Sequence, residues 1–171
     1  MEALVRTDAS VEHLHKQRCD VYESDGVPED NTALMLASAR GHTGTVRVLI
    51  AADGSTEHIG IRRELMCQGY FGETALILAA RDGHIDVVRE LIAADSSAEH
   101  IRQVEDMTCS VEDSGQTALL AAVEFGHTEV VRELIAADGS AEHLQMKNSD
   151  GRTALDEAVE HGHEDIIALL A

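Results

Sequence analysis

The sequence predicts an all-α solenoid of stacked antiparallel helix pairs with lengthened, finger-like connections. Three observations predict it. First, one stretch recurs. Gly115 to Asp138 reads G-Q-T-A-L-L-A-A-V-E-F-G-H-T-E-V-V-R-E-L-I-A-A-D, and close copies stand at Gly72 to Asp95, at Asp30 to Asp53 and, cut short, at Gly151 to Ala171. A segment that returns at a steady interval is a structural unit, and the fold is then an array. Second, each copy carries two apolar stripes at helical spacing, separated by a Gly-His pair. Third, 44% of the 171 residues are apolar but only 2% are aromatic. Such a composition suits short helices that approach closely through Ala, Leu, Ile and Val.

The third copy shows how each element arises. Thr117 stands just before an apolar run, where a hydroxyl caps the free N–H groups of a starting helix. Ala118, Leu119, Ala122 and Val123 follow at helical spacing. Gly126 stops this helix, because glycine tolerates the left-handed backbone past a helix end. Thr128 or Glu129 opens the second helix, and Val130, Val131, Leu134 and Ile135 form its stripe. Each helix has only about two to three turns, too few to be stable alone. The stripes must therefore be buried against neighbouring copies.

The capping threonines are Thr32, Thr74, Thr117 and Thr153, at intervals of 42, 43 and 36 residues. Intervals of that size suit HEAT or armadillo repeats, but the words inside the unit do not. The pattern T-A-L-x-x-A-A-x-x-G-H-x-x-V-V-x-x-L-I resembles the ankyrin repeat, over about Asn31 to Ala171 and more weakly over the N-terminus. Ala33, Ala75, Ala118 and Ala154 replace the usual proline, and Met35, Ile77, Leu120 and Asp156 replace the usual histidine. The spacing also exceeds the family's roughly 33 residues, so the connections are enlarged.

The chain reads as one domain of 171 residues. Residues 1–29 are a half-repeat or N-terminal cap with the first finger. Residues 30–71, 72–114 and 115–150 are repeats, and 151–171 is the C-terminal repeat. Leu4 to Leu14 aligns with Leu134 to Leu144, so the first residues match the tail of a unit. They are either a capping helix or the start of a fragment cut from a longer array. After each second helix comes a phrase unusual for the family, Asp-x-Ser-x-Glu-His-Leu/Ile, at Asp8, Asp53, Asp95 and Asp138. Gly54 and Gly139 are placed to end the second helix, and the serine to cap one more helical turn with its Leu or Ile tucked under the stack. Exposed stack ends are expected at Leu4-Val5 and Ile166-Ile167.

The formal charge is −19. It argues against general nucleic-acid binding, which needs Lys and Arg on phosphates, and against anionic membrane surfaces. It is either a solvated surface or a selector for a basic protein partner. No apolar run is long enough to span a membrane, and no signal peptide is apparent. Three cysteines make no disulfide framework. A reducing, intracellular and cytoplasmic location follows as the expectation.

No catalytic signature emerges: no activated nucleophile, no unique carboxylate pair and no phosphate loop. No cofactor or metal is expected. His42, His84, His127 and His163 fill the Gly-His turn of every copy, and His13, His58, His100 and His143 fill the Asp-x-Ser-x-Glu-His phrase. A position repeated in every unit reads as structural, since a site is needed once. His13, His15 and Cys19 lie close in sequence, but a closed zinc site needs four ligands and the fourth has no source. Cys67 and Cys109 stand nine residues after their repeat histidines and read as buried small apolar groups.

The four aromatics, Tyr22, Tyr70, Phe71 and Phe125, avoid the repeated core positions. Tyr70 and Phe71 either bind a partner or fill a gap between fingers. Phe125 stands where other copies carry Arg40, Asp82 and His161. The resemblance implies that such positions line a concave groove, with Arg40, Arg81, Asp82, Glu124, Glu157 and Glu160 as its polar remainder. The function it implies is non-catalytic protein–protein recognition by a monomer on that face. Two other expectations stand beside it: an interaction module of a larger protein such as a kinase or effector, and a structural array that self-associates end to end.

Overall fold

The computed structural model describes residues 32–52, 73–104 and 115–171. These residues hold ten helices and no strand. They fall into four antiparallel pairs: α1 (Ala33–Ala39) with α2 (Thr43–Ala52), α3 (Ala75–Arg81) with α4 (Ile85–Ala94), α6 (Ala118–Glu124) with α7 (Thr128–Ala137), and α9 (Ala154–His161) with α10 (Glu164–Leu170). The one-turn helices α5 (Ala98–Ile101) and α8 (Ala141–Leu144) follow the second and third pairs. The first helices stack in the order α1, α3, α6, α9 and the second helices in the order α2, α4, α7, α10. The fold is the all-α two-layer array that the repeats predict.

Local hydrogen bonds explain the pairs. Thr32, Thr74, Thr117 and Thr153 each accept, on Oγ1, the N–H three residues on, at 3.2–3.3 Å. At the Gly-His turn after α3, His84 N–H donates to Ala79 O (2.9 Å) and Gly83 N–H to Ala80 O (3.3 Å). After α6, His127 N–H donates to Ala122 O (2.8 Å) and Gly126 N–H to Val123 O (3.0 Å). This two-bond closure satisfies the last carbonyls of the helix and requires a left-handed residue; Gly83 and Gly126 both have φ +73°. Thr128 opens α7 as expected, with His127 as the N-cap residue before it.

The core lies between the two layers. Leu76, Leu91, Leu119, Val131 and Leu134 are fully buried within it, with the small Ala79, Ala80 and Ala122 between them. The repeat histidines join one unit to the next. His84 Nε2–H donates to Ala39 O (3.1 Å), His127 Nε2–H to Arg81 O (2.9 Å) and His163 Nε2–H to Glu124 O (3.3 Å). A carbonyl only accepts, so the proton resides on Nε2. On the second-helix layer, Arg47 pairs with Glu90 (2.7 Å) and Arg89 with Glu133 (2.9 Å), each reaching into the following unit.

The Asp-x-Ser-x-Glu-His phrase forms the expected extra turn. Ser97 and Ser140 cap α5 and α8 through the N–H groups of His100 and His143, both at 3.2 Å. Ile101 is buried and Leu144 half-buried. The stop before this turn is not made by Gly139. Asp138 leaves the helix with an extended φ of −146°, and its carboxylate accepts Ser140 N–H at 3.2 Å. Asp95 does the same with Ser97 at 3.0 Å, with Ser96 where Gly139 stands, so the aspartate is the stop in both units; glycine at 139 answers to space, since a Cβ there would lie 2.9 Å from Ile135 O. Arg102, after α5, reaches the next phrase and bonds Asp138 Oδ2 (2.5 Å), Glu142 Oε2 (2.5 Å) and Ser140 Oγ (3.0 Å). Arg102 holds the Asp138 carboxyl well below the usual carboxylate range.

The two described phrase histidines differ. His143 Nδ1–H donates to Asp138 O at 2.7 Å. His100 is buried with neither ring nitrogen hydrogen-bonded. Burial pushes the His100 imidazole below its usual titration range, partly opposed by Asp95. In that window the unfolded chain binds more protons than the folded one. Stability is therefore full above about pH 6.5 and falls as the pH drops below it. His100→Leu is expected to flatten this slope and, by removing unpartnered buried nitrogens that cost about 1–3 kcal/mol, to be neutral or stabilising at pH 7. Urea melts at neutral pH and at pH 5.5 test it; an unchanged slope counts against it.

At the C-terminal end, Ile166 is fully buried rather than exposed, because it lies at the position of Val130, inside the pair. The uncovered apolar residues there are Leu155 (36% exposed) and Val159 (59%), whose counterparts Leu119 and Val123 are buried. Leu4 and Val5 lie outside the described residues, as do Tyr22, Tyr70, Phe71, Cys19, Cys67, Cys109, Gly54 and the fingers spanning 53–72 and 105–114.

Candidate functional site

The cleft that deserves the name of a candidate site lies along the ends of α3, α6 and α9. Its volume is about 270 Å³, and it is walled by the polar side chains of three successive units with Phe125 among them. It is built by a device repeated in these three units. The residue before the capping threonine pairs with the residue seven positions after that threonine. Arg81 thus ion-pairs with Glu73, Gln116 Nε2–H donates to Glu124 Oε2 at 2.5 Å, and Arg152 pairs with Glu160 at 2.8 Å. The three braces share a geometry but differ in charge order: acid then base, amide then acid, base then acid.

The next position along is the exposed one. Arg40, Asp82, Phe125 and His161 occupy it in the four units, and all four are exposed. Phe125 is 53% exposed. It caps α6 from a bridge-region backbone (φ −89°, ψ 3°) that the following glycine permits. Below it, Asn148 donates to Glu157 Oε1 at 2.5 Å, and His161 Nε2 lies 3.3 Å from Glu157 Oε2. Asn148 belongs to the short connection after α8. That connection turns tightly because Asn148 Oδ1 accepts the N–H groups of Asp150 (3.1 Å) and Arg152 (3.0 Å), with Gly151 at φ +76°.

The structure thus brings together Arg81, Glu124, Phe125 and Glu157 in one cleft. Glu160 stands at its edge in the Arg152 pair, and Asp82 lies 3.4 Å from Arg81. Arg40 lies outside it, in the preceding unit of the row of first helices. Glu157 is buried (5% exposed), so it shapes the floor of the cleft rather than its open face. Glu73, Gln116, Asn148, Asp150 and Arg152 also line the cleft and were not singled out from the sequence. For Glu73, Gln116 and Arg152 the signal that could have found them is the eight-residue spacing of the braces across α3, α6 and α9. Among the described residues no group of three or more His, Cys, Asp or Glu converges as a metal site would, and no helix is long and apolar enough to cross a membrane.

The threonine cap, the glycine closure and the histidine rung between units recur across the described array. A family model described as ankyrin repeats (3 copies) matches residues 1–103 and again 93–171. The chain is an ankyrin-repeat protein. The family model holds three copies, whereas four helix pairs stand in the described part of this ankyrin array. No curated protein matches the chain. Ankyrin repeats are generally protein–protein interaction modules, and the family is typically non-catalytic.

Proposed function

We propose that this ankyrin array is a non-catalytic recognition module whose concave face, made of fingers and first helices, holds a segment of a partner protein with a basic surface. The observation that carries the reading is the row Arg40, Asp82, Phe125 and His161. These are four different exposed side chains at one position of a unit whose caps, turns and core positions otherwise repeat. Variation at an exposed position of a repeated frame is what recognition of one partner requires, since the frame itself can specify only the fold. The formal charge of −19 favours a basic partner and speeds its encounter. In this reading Tyr70 and Phe71 extend the face from the finger, and the chain acts as a monomer inside the cell, in the cytoplasm.

The test is capture from cell extract read by mass spectrometry, with three baits. The unaltered chain is compared with a groove variant (Tyr70→Ala, Phe71→Ala, Asp82→Ala and Phe125→Ala) and with a variant of the opposite layer (Glu129→Ala and Arg132→Ala). All three are first shown to melt alike. A protein lost by the groove variant and kept by the other is the expected outcome. The reverse pattern would move the binding surface to the second helices.

A second reading has one observation in its favour. Leu155 and Val159 are uncovered where every earlier described unit is stacked under the next, so end-to-end self-association would bury them. A mass that rises with concentration and returns to the monomer in Val159→Lys would support it.

A further inference from the structure

We infer that the cleft beside Phe125 is a receptor for one cationic side chain of the partner, an arginine first. The inference rests on the concave-face reading and names the chemistry of its central contact.

Three properties of the cleft select the occupant. Its size, about 270 Å³, stands at the lower end of binding clefts and is enough for one long side chain. Its composition comes next. Phe125 is the one apolar residue among the described residues that line it. An aliphatic side chain laid there would meet a single ring and would strip water from the surrounding carboxylates without replacing their hydrogen bonds, which is costly. Its charge is the third property. Glu73, Glu124, Asp150 and Glu157 stand against Arg81 and Arg152, and four carboxylates against two guanidiniums leave a formal charge of −2 with His161 neutral. An anionic side chain is therefore repelled, locally and by the chain as a whole.

A cation meets none of these penalties. Over the face of Phe125 it is attracted by the ring quadrupole, and carboxylates stand around the same cleft. Arginine fits better than lysine because the planar guanidinium both stacks on a ring and forks two N–H groups to a carboxylate. Asp150 is the carboxylate least engaged within the cleft: it is exposed and lies 3.8 Å from Arg152. The charge order of the last brace contributes to this. With Arg152 before the threonine and Glu160 after it, Arg152 is drawn to 2.8 Å from Glu160 and leaves Asp150 at the longer distance.

The chain has two phenylalanines, Phe71 and Phe125, so labelling with 4-fluorophenylalanine gives two fluorine lines. Phe125→Leu identifies the second. The probes are three unstructured Gly/Ser peptides of equal length that carry a pair of arginines, of leucines or of glutamates. The arginine peptide is expected to move the Phe125 line saturably and less so as salt rises. By calorimetry its affinity should fall about tenfold in Phe125→Leu, as a lost cation–π contact implies, and also fall in Asp150→Asn. A leucine peptide that moves the Phe125 line as strongly would overturn the cationic receptor and leave the concave face standing. Binding of the arginine peptide without movement of that line, or no binding at all, would overturn the receptor too; the capture experiment then decides the concave face independently.

Discussion

Leu91→Ala is expected to lower the stability of the array by about 2–5 kcal/mol. Leu91 is fully buried in α4, which packs on α3 within its own unit and on α2 and α7 in the units before and after. Its truncation therefore opens a void at a point shared by three units. In a stacked array, stability is the sum of unit terms and neighbour terms, and this residue contributes to both. A loss of that size is a large part of the roughly 5–15 kcal/mol available to a domain. The control is Val159→Ala, also an apolar truncation on a helix but at a side chain 59% exposed, which should stay within about 0.5 kcal/mol of the parent. Denaturant unfolding of both variants decides it. A Leu91→Ala cost no larger than the control would mean that the stacking around α4 is not as described.

Gly83→Ala is the second large effect, and it separates two demands that one glycine meets. Its φ of +73° is a conformation in which a Cβ costs about 1–2 kcal/mol. A Cβ built there also lies 2.6 Å from the His127 ring, which must then shift and give up its bond to the Arg81 carbonyl, a further loss of about 1 kcal/mol. Gly162→Ala isolates the first demand, because Gly162 has φ +70° and nothing within 4 Å of its built Cβ. Gly83→Ala should therefore cost more than Gly162→Ala. In a His127→Ala background the excess should vanish, leaving a coupling of about 1 kcal/mol in the double-mutant cycle. Equal costs for the two glycines, or no coupling, would mean that the rung is not a link between units.

Much of the fold was legible because it is made by bonds of short range. A threonine capping the N–H three residues on, a glycine closing a helix and a serine opening one more turn all act within about six residues. Their spacing stands in the sequence whatever surrounds them. The one local misreading, Gly139 as a helix stop, arose because glycine and the preceding aspartate are both able to end a helix. Only the Asp138 backbone angle and its bond to Ser140 distinguish them. The site was less legible. Phe125 could be picked out as an aromatic outside the repeated pattern, and Arg81 and Glu124 as its neighbours. The partners that brace them show in the sequence only as an eight-residue spacing, and Asn148 and Asp150, from the connection to the following unit, show there not at all.

The sequence by itself determined the repeated unit, its helices, its caps and the family to which the chain belongs, since each follows from residue spacing within one copy. The tertiary structure alone decided what happens between copies. It turned the Gly-His histidine into a rung to a carbonyl some 45 residues earlier, clamped Arg102 onto the next aspartate, buried Ile166 and Glu157, and left Leu155, Val159 and Phe125 uncovered. The physical reason is that burial and long-range hydrogen bonds depend on which unit stacks on which and at what distance. No periodicity within a single copy contains that information.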